Sequence, residues 1–185
     1  MHTQQVDDIA SLWGTQGIIL DTGLSDEEVA NIETEYHFCF PPDLRVLLMH
    51  VLPVSQGFTD WRRTHSAGLR GLLAEPIEGM LDAVKTQGFW YPSWGDRPVD
   101  MVNAAALALR ELVSAPCLIP VQGGVYLPDN PHEAGNPLFS VNNFDIIFAG
   151  ETLYEYVMVS PLSKWPFAVT GATRYIQLWS DVASE

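Results

Sequence analysis

Cys117-Leu118-Ile119-Pro120-Val121, Gly124-Val125-Tyr126-Leu127, Leu138-Phe139-Ser140-Val141 and Asp145-Ile146-Ile147-Phe148 are four short β-type runs crowded into the second half of the chain. Gly123-Gly124, Asp129-Asn130-Pro131 and Asn142-Asn143 punctuate them, and these residues favour turns through positive φ, fixed φ or side-chain bonds to the backbone. Upstream the texture is helical. Ser25-Asp26-Glu27-Glu28 is a capping box, and Val29, Ile32 and Tyr36 follow at i, i+3 and i+7, which predicts a helix over about 26–37. Pro41-Pro42 ends that segment and opens the next, a helix over 42–51 carrying Leu44, Leu47, Leu48 and Val51, with a turn from Pro53 to Gly57. Phe58 to Arg62 reads as a strand, and residues 63–76 show no clear period. Ile77 to Thr86 reads as a helix, stopped by Gly88, with Met80, Leu81 and Val84 on one face. Asp100 to Ser114 is an alanine-rich helix whose apolar stripe is read as Val102, Ala105, Ala106, Leu109, Leu112 and Val113. Glu151 to Val159 is a further helix, residues 1–23 are a short helix and a turn, and 174–179 are strand-like or irregular. Helices, one strand, helices, a block of strands and a helix in that order predict an α+β fold. The sheet is expected to be mostly antiparallel.

The chain has 185 residues, a single-domain length that can bury a core without disulfide or metal. Nine Lys and Arg stand against 23 Asp and Glu, a formal charge of −14. A nucleic-acid binder clusters cations against phosphates, and here Arg62-Arg63 is the sole arginine pair, so nucleic acid and anionic membrane are poor partners. A basic protein suits this charge better, because an acidic surface accelerates such encounters. No apolar run approaches the ~20 residues of a membrane span, and the first residues lack the pattern of a secretion signal. Cys39 and Cys117 lie among apolar neighbours and are expected as reduced core thiols of a cytoplasmic protein.

Chemistry-bearing spacings are sparse. The five histidines form no zinc-ligand pattern, so no metal and no cofactor is expected. Glu78/Asp82 and Glu151/Glu155 are carboxylate pairs at i, i+4 that suit a solvated helix face as well as an acid–base pair. Neither a nucleophile elbow nor a phosphate-binding glycine loop is present in the sequence. The unusual stretch is Phe89-Trp90-Tyr91-Pro92-Ser93-Trp94-Gly95-Asp96-Arg97-Pro98. Trp, Tyr and Arg dominate interface hot spots, so Trp90, Tyr91, Trp94, Asp96 and Arg97 are candidate partner-binding residues, with Trp61 and Arg62 as a second group. The competing reading of both groups is structural: large aromatics plug a core while the charged residues pair locally.

The segment Leu24-Ser25-Asp26-Glu27-Glu28 followed by Phe40-Pro41-Pro42-Asp43-Leu44-Arg45-Val46-Leu47-Leu48 resembles the opening of the SMI1/KNR4 family, the SUKH superfamily. Phe58-Thr59-Asp60-Trp61-Arg62 is similar to that family's first strand. The aromatic loop, Ala115 to Val121, Tyr126-Leu127-Pro128, Gly135 to Val141 and Asp145 to Gly150 resemble its bacterial branch. The resemblance covers residues 24–160, flanked by an N-terminal extension, 1–23, and a C-terminal extension, 161–185, packed on the same domain. It implies a strongly bent, mostly antiparallel sheet flanked by helices. It also implies a non-catalytic immunity protein that binds and neutralises a toxin, nucleases among them. A monomer is expected. The alternative is a small hydrolase or carbohydrate-binding protein built on the Trp-rich loop.

Overall fold

The computed structural model describes residues 1–159 and 173–184. In chain order these form α1 (Thr3–Thr15), β1 (Leu20–Thr22), α2 (Asp26–Tyr36), α3 (Pro42–His50), β2 (Val51–Pro53), α4 (Ala67–Thr86), a 3-10 turn (Pro92–Trp94) and α5 (Met101–Ser114). β3 (Leu118–Gln122), β4 (Val125–Pro128), β5 (Leu138–Asn142), β6 (Asp145–Gly150), α6 (Leu153–Val159) and α7 (Trp179–Val182) follow. The four strands of the second half make one antiparallel sheet in the order β3-β4-β5-β6. A two-stranded antiparallel sheet pairs β1 with β2, Leu20 opposite Pro53. The fold is α+β, as the run of turn-bounded strands predicted.

Strand alternation sorts the apolar side chains of the large sheet into two cores. Ile119, Val121, Val125, Leu127, Leu138 and Ala149 join one core, which also takes Ile9 and Trp13 of α1, Ile32 of α2, Leu44 and Leu47 of α3 and Leu153 of α6. Leu118, Tyr126, Phe139, Val141 and Ile146 join the other, with Met80 of α4, Leu112 of α5 and Trp179 of α7. The sheet is therefore a middle layer, buried on both faces, and β4 is buried along its whole length. Ile176, Leu178 and Trp179 are buried in the second core, so residues 173–184 pack on the same domain; residues 160–172 lie outside the described residues.

Several local expectations change. α2 begins at the predicted capping box: Ser25 Oγ accepts from Glu28 N–H at 3.1 Å and the Glu28 carboxylate accepts from Ser25 N–H at 2.8 Å. The predicted strand Phe58–Arg62 is reduced to a single bridge, Phe58 to Gln122, because the chain turns at Thr59 to Trp61. The turn predicted at Pro53 is the end of β2, whose pairing with β1 is formed across two helices and leaves no short-range mark. α4 starts at Ala67 rather than Ile77 and runs through Pro76. Proline cannot donate to the carbonyl of Leu72 four residues back. Tyr126 of β4 compensates: its hydroxyl lies 3.0 Å from Leu72 O and 2.8 Å from the Glu75 carboxylate. Burial, and then Glu75, push the Tyr126 phenol far up, so it remains a donor.

The buried face of α5 also differs from the predicted stripe. Ala104, Ala108 and Leu112 face inward, whereas Val102, Leu109 and Val113 are 75%, 43% and 65% exposed. Cys39 is exposed rather than in the core, and Cys117 is half-buried; both are free thiols.

Candidate functional site

The aromatic loop is held from several sides. Phe89, Trp90 and Tyr91 meet the Trp94 ring edge-on, with centroids 5.9, 5.3 and 5.8 Å away. Trp90 Nε1 donates to Gly95 O at 2.7 Å, closing the loop on itself. Arg97 does not pair with Asp96. Its guanidinium donates to Val84 O at 2.7 Å and Gly88 O at 2.9 Å, satisfying carbonyls at and just beyond the C-terminal turn of α4, and lies 5.8 Å from the Trp90 ring centre. The Tyr91 hydroxyl donates to Asp181, which also accepts from Tyr175 at 2.6 Å. The Tyr175 and Tyr91 hydrogen bonds hold the Asp181 carboxyl below its usual range. The result is an ordered surface knob: Trp90, Tyr91, Trp94 and Arg97 are half-buried and Asp96 is exposed.

Trp61 and Arg62 are used differently. Trp61 is 1% exposed, with Phe40 and Phe38 ring centres 4.8 and 6.1 Å away, so it belongs to the first core. Arg62 donates to Glu28 at 2.8 Å, Asp21 at 2.9 Å, Thr22 O at 3.0 Å and Gly23 O at 3.3 Å. The Glu28 hydrogen bond raises the arginine further, and the Arg62 hydrogen bond lowers the Glu28 carboxyl. The side chain ties β1 to the start of α2. The structure thus keeps the two candidate groups in different roles.

A second feature combines residues far apart in sequence. His37, Cys39, Cys117, Asp129 and His132 line an open cleft of about 530 Å³. Cys117 N–H donates to Asp129 Oδ1 at 2.8 Å. Burial, and then the Asp129 charge, push the Cys117 thiol up to about 12, and burial raises Asp129. A thiol raised this far is a poor nucleophile. Among the described residues no group of three His, Cys, Asp or Glu is placed to hold a metal ion. Beside the cleft lies a smaller, apolar cavity of about 230 Å³, lined by Leu73, Ile77, Leu112, Val113, Pro116 and Trp179 among others.

The third feature is the outer face of α5. Val102, Ala106, Leu109 and Val113 are exposed at alternating steps of four, three and four residues, and the fully exposed Val99 lies just before the helix. This is the spacing of a helix–helix seam. The pattern was present in the sequence, but the same residues served equally well as a core stripe.

No family model, curated protein or solved structure matches the chain. The resemblance to SMI1/KNR4 proteins therefore rests on the quoted motifs. Among the described residues no helix is long and apolar enough to cross a membrane.

Proposed function

We propose that this chain is a non-catalytic, acidic module that binds a basic protein domain, in the manner of a cytoplasmic immunity protein neutralising a toxin. The observation that carries the reading is how the cations are used. Arg45 pairs with Asp26, Arg62 with Asp21 and Glu28, Arg63 with Asp60, Arg110 with Glu111 and Arg174 with Glu133, while Arg97 serves backbone carbonyls. Six of the nine Lys and Arg are engaged in this way, and the 23 acids include exposed carboxylates such as Glu27, Glu78 and Asp96. The knob formed by Trp90, Tyr91, Trp94, Asp96 and Arg97 is ordered before any partner arrives, which lowers the entropic cost of using it as a contact. A sugar or hydrolytic cleft built on this loop would place Trp90 and Trp94 in a cavity beside two carboxylates. The four cavities described among these residues are lined by other side chains.

The test is binding to a basic toxin domain encoded beside this chain. Raising salt from about 50 to 300 mM should slow association at least tenfold and leave dissociation nearly unchanged. Trp94→Ala should speed dissociation about 30-fold, the hot-spot scale. A folded Trp94→Ala protein with unchanged dissociation removes the loop from the contact. No binding at 100 μM partner refutes the reading.

A further inference from the structure

We infer that the open cleft where α2 and α5 end receives an arginine side chain of a protein partner, with an apolar neighbour of that arginine seated in the adjoining cavity. This rests on the reading of the chain as a binder of basic proteins, and it gives the partner's cation a place to dock.

Three features converge on the cleft. The first is a carboxylate. Asp129 is fixed on the wall by a reciprocal pair of bonds: Cys117 N–H donates to Asp129 Oδ1 at 2.8 Å, and Asp129 N–H donates to Cys117 O at 2.9 Å. Among the described residues no Lys or Arg pairs with it, whereas Arg45, Arg62, Arg63, Arg110 and Arg174 all pair with carboxylates elsewhere. Burial raises the Asp129 carboxyl, and an incoming cation offsets the cost of keeping it ionised.

The second is the course of two helices. α2 ends at Tyr36, and His37 beyond it takes a left-handed backbone, φ 58°. α5 ends at Ser114. His37, Val113 and Ser114 all line the cleft, so both helices bring their C-terminal ends, the negative ends of their dipoles, to one opening. Ala115 N–H takes the carbonyls of Glu111 and Leu112, which leaves those of Val113 and Ser114 as open acceptors among the described residues. The third is shape. The cleft, about 530 Å³, shares Val113, Ala115, Pro116 and Cys117 with the apolar cavity of about 230 Å³ that reaches Leu73 and Trp179. A polar and an apolar volume side by side fit two neighbouring side chains, one charged and one not.

The chemistry selects the occupant. Among the described residues no group of three His, Cys, Asp or Glu is placed to hold a metal ion, so the cation is an organic one. One carboxylate with several helix-end carbonyls suits a cation with many N–H donors, and a guanidinium carries five in one plane. His37 and His132 add aromatic rings to the walls, a surface on which a guanidinium stacks. The net charge of −14 draws a basic segment towards the opening.

The experiment titrates the ¹⁵N-labelled whole chain with acetyl-Leu-Arg-amide at about pH 7.5 and about 0.15 M salt, where attraction beyond about 8 Å is screened. We expect saturable shifts of the Cys117 and Asp129 amides, with a dissociation constant on the order of 1 mM for so small a probe. Acetyl-Leu-citrulline-amide, which lacks the charge, should bind at least tenfold more weakly, and acetyl-Gly-Arg-amide, which leaves the cavity empty, at least threefold. Asp129→Asn retains an acceptor for Cys117 N–H and should weaken the arginine probe at least tenfold. Val113→Arg, at an exposed position, places a cation of the chain's own at the cleft and should weaken it equally with the melting temperature unchanged. Equal affinity for the arginine and citrulline probes overturns the proposal. So do shifts confined to exposed carboxylates such as Glu27 and Glu78, or full binding by Val113→Arg. Because no partner protein is added, failure here leaves the basic-partner reading standing. Failure of that reading against a basic domain leaves the choice between arginine and citrulline still measurable at the cleft.

Discussion

Tyr126→Phe should cost more than the loss of one hydroxyl suggests, because that hydroxyl serves a carbonyl that proline has orphaned. Pro76 lies inside α4 and leaves Leu72 O without its helical donor. Tyr126 Oη, 3.0 Å away, fills the position and also reaches Glu75 at 2.8 Å. The two acceptors share the single O–H proton, and removing it leaves a partly buried acceptor unsatisfied, which costs about 1–3 kcal/mol. For a domain of this size that is a fall of roughly 2–10 °C in melting temperature. The decisive measurement is a double-mutant cycle with Pro76→Ala, read by urea unfolding. The alanine restores a backbone N–H to Leu72 O, so Tyr126→Phe should be cheaper in that background by ~1 kcal/mol. Pro76→Ala alone combines opposing effects, since it relieves the helix of proline but trims a buried ring; the coupling does not depend on their balance. Equal costs of Tyr126→Phe in the two backgrounds, within ~0.3 kcal/mol, would refute the compensation.

Two glycines of α4 should respond oppositely to alanine. Gly71 faces open space, so Gly71→Ala should stabilise by about 0.5–1 kcal/mol. A Cβ on Gly79 runs into the backbone of Asn143 at the β5–β6 turn, so Gly79→Ala should destabilise by ~1–3 kcal/mol despite the better helix former; equal melting temperatures would remove that close approach. With a thiol reagent at pH 8, exposed Cys39 should react promptly, while Cys117, half-buried and raised to about 12, should react only as the protein opens; two equally fast thiols would contradict this. Asp181 is held below its ordinary value of 3.8, so the folded state gains from its ionised form above about pH 4 and loses that gain as pH falls through the depressed value. Asp181→Asn should therefore flatten the fall in melting temperature below about pH 4, and an unchanged acid slope would exclude the contribution.

Legibility in the sequence followed the range of the interactions. The capping box of α2, the Pro-initiated α3 and the turn-bounded strands β3 to β6 are specified within a few residues of themselves, and they appear where predicted. β1 and β2 are three residues each and exist through pairing with each other. The first turns of α4 were hidden because Pro76 reads as a breaker, and the hydroxyl that excuses it comes from β4. On α5, periodicity identified a helix but could not choose which apolar face points inward, since alanines pack more closely than valines against a neighbouring helix. The same limit applied to the candidate site. Trp61 and Trp94 carry the same letter, yet one sits among Phe38 and Phe40 in the core and the other in a surface knob. The cleft of His37, Cys39, Cys117, Asp129 and His132 had no spacing to betray it.

A sheet buried on both faces acts as a partition. Tyr126 and Leu127 are adjacent in the chain, but one belongs to the core under α4, α5 and α7 and the other to the core under α1, α2, α3 and α6. Sequence drift in this protein therefore has two separate packing problems to satisfy. A lost methylene at Leu127 can be made good only from within its own core, which draws on residues as distant in sequence as Ile9 and Leu44, and not by its neighbour Tyr126. Compensating substitutions should accumulate in alternate residues along each strand, so that one core can be rebuilt while the other keeps its original packing.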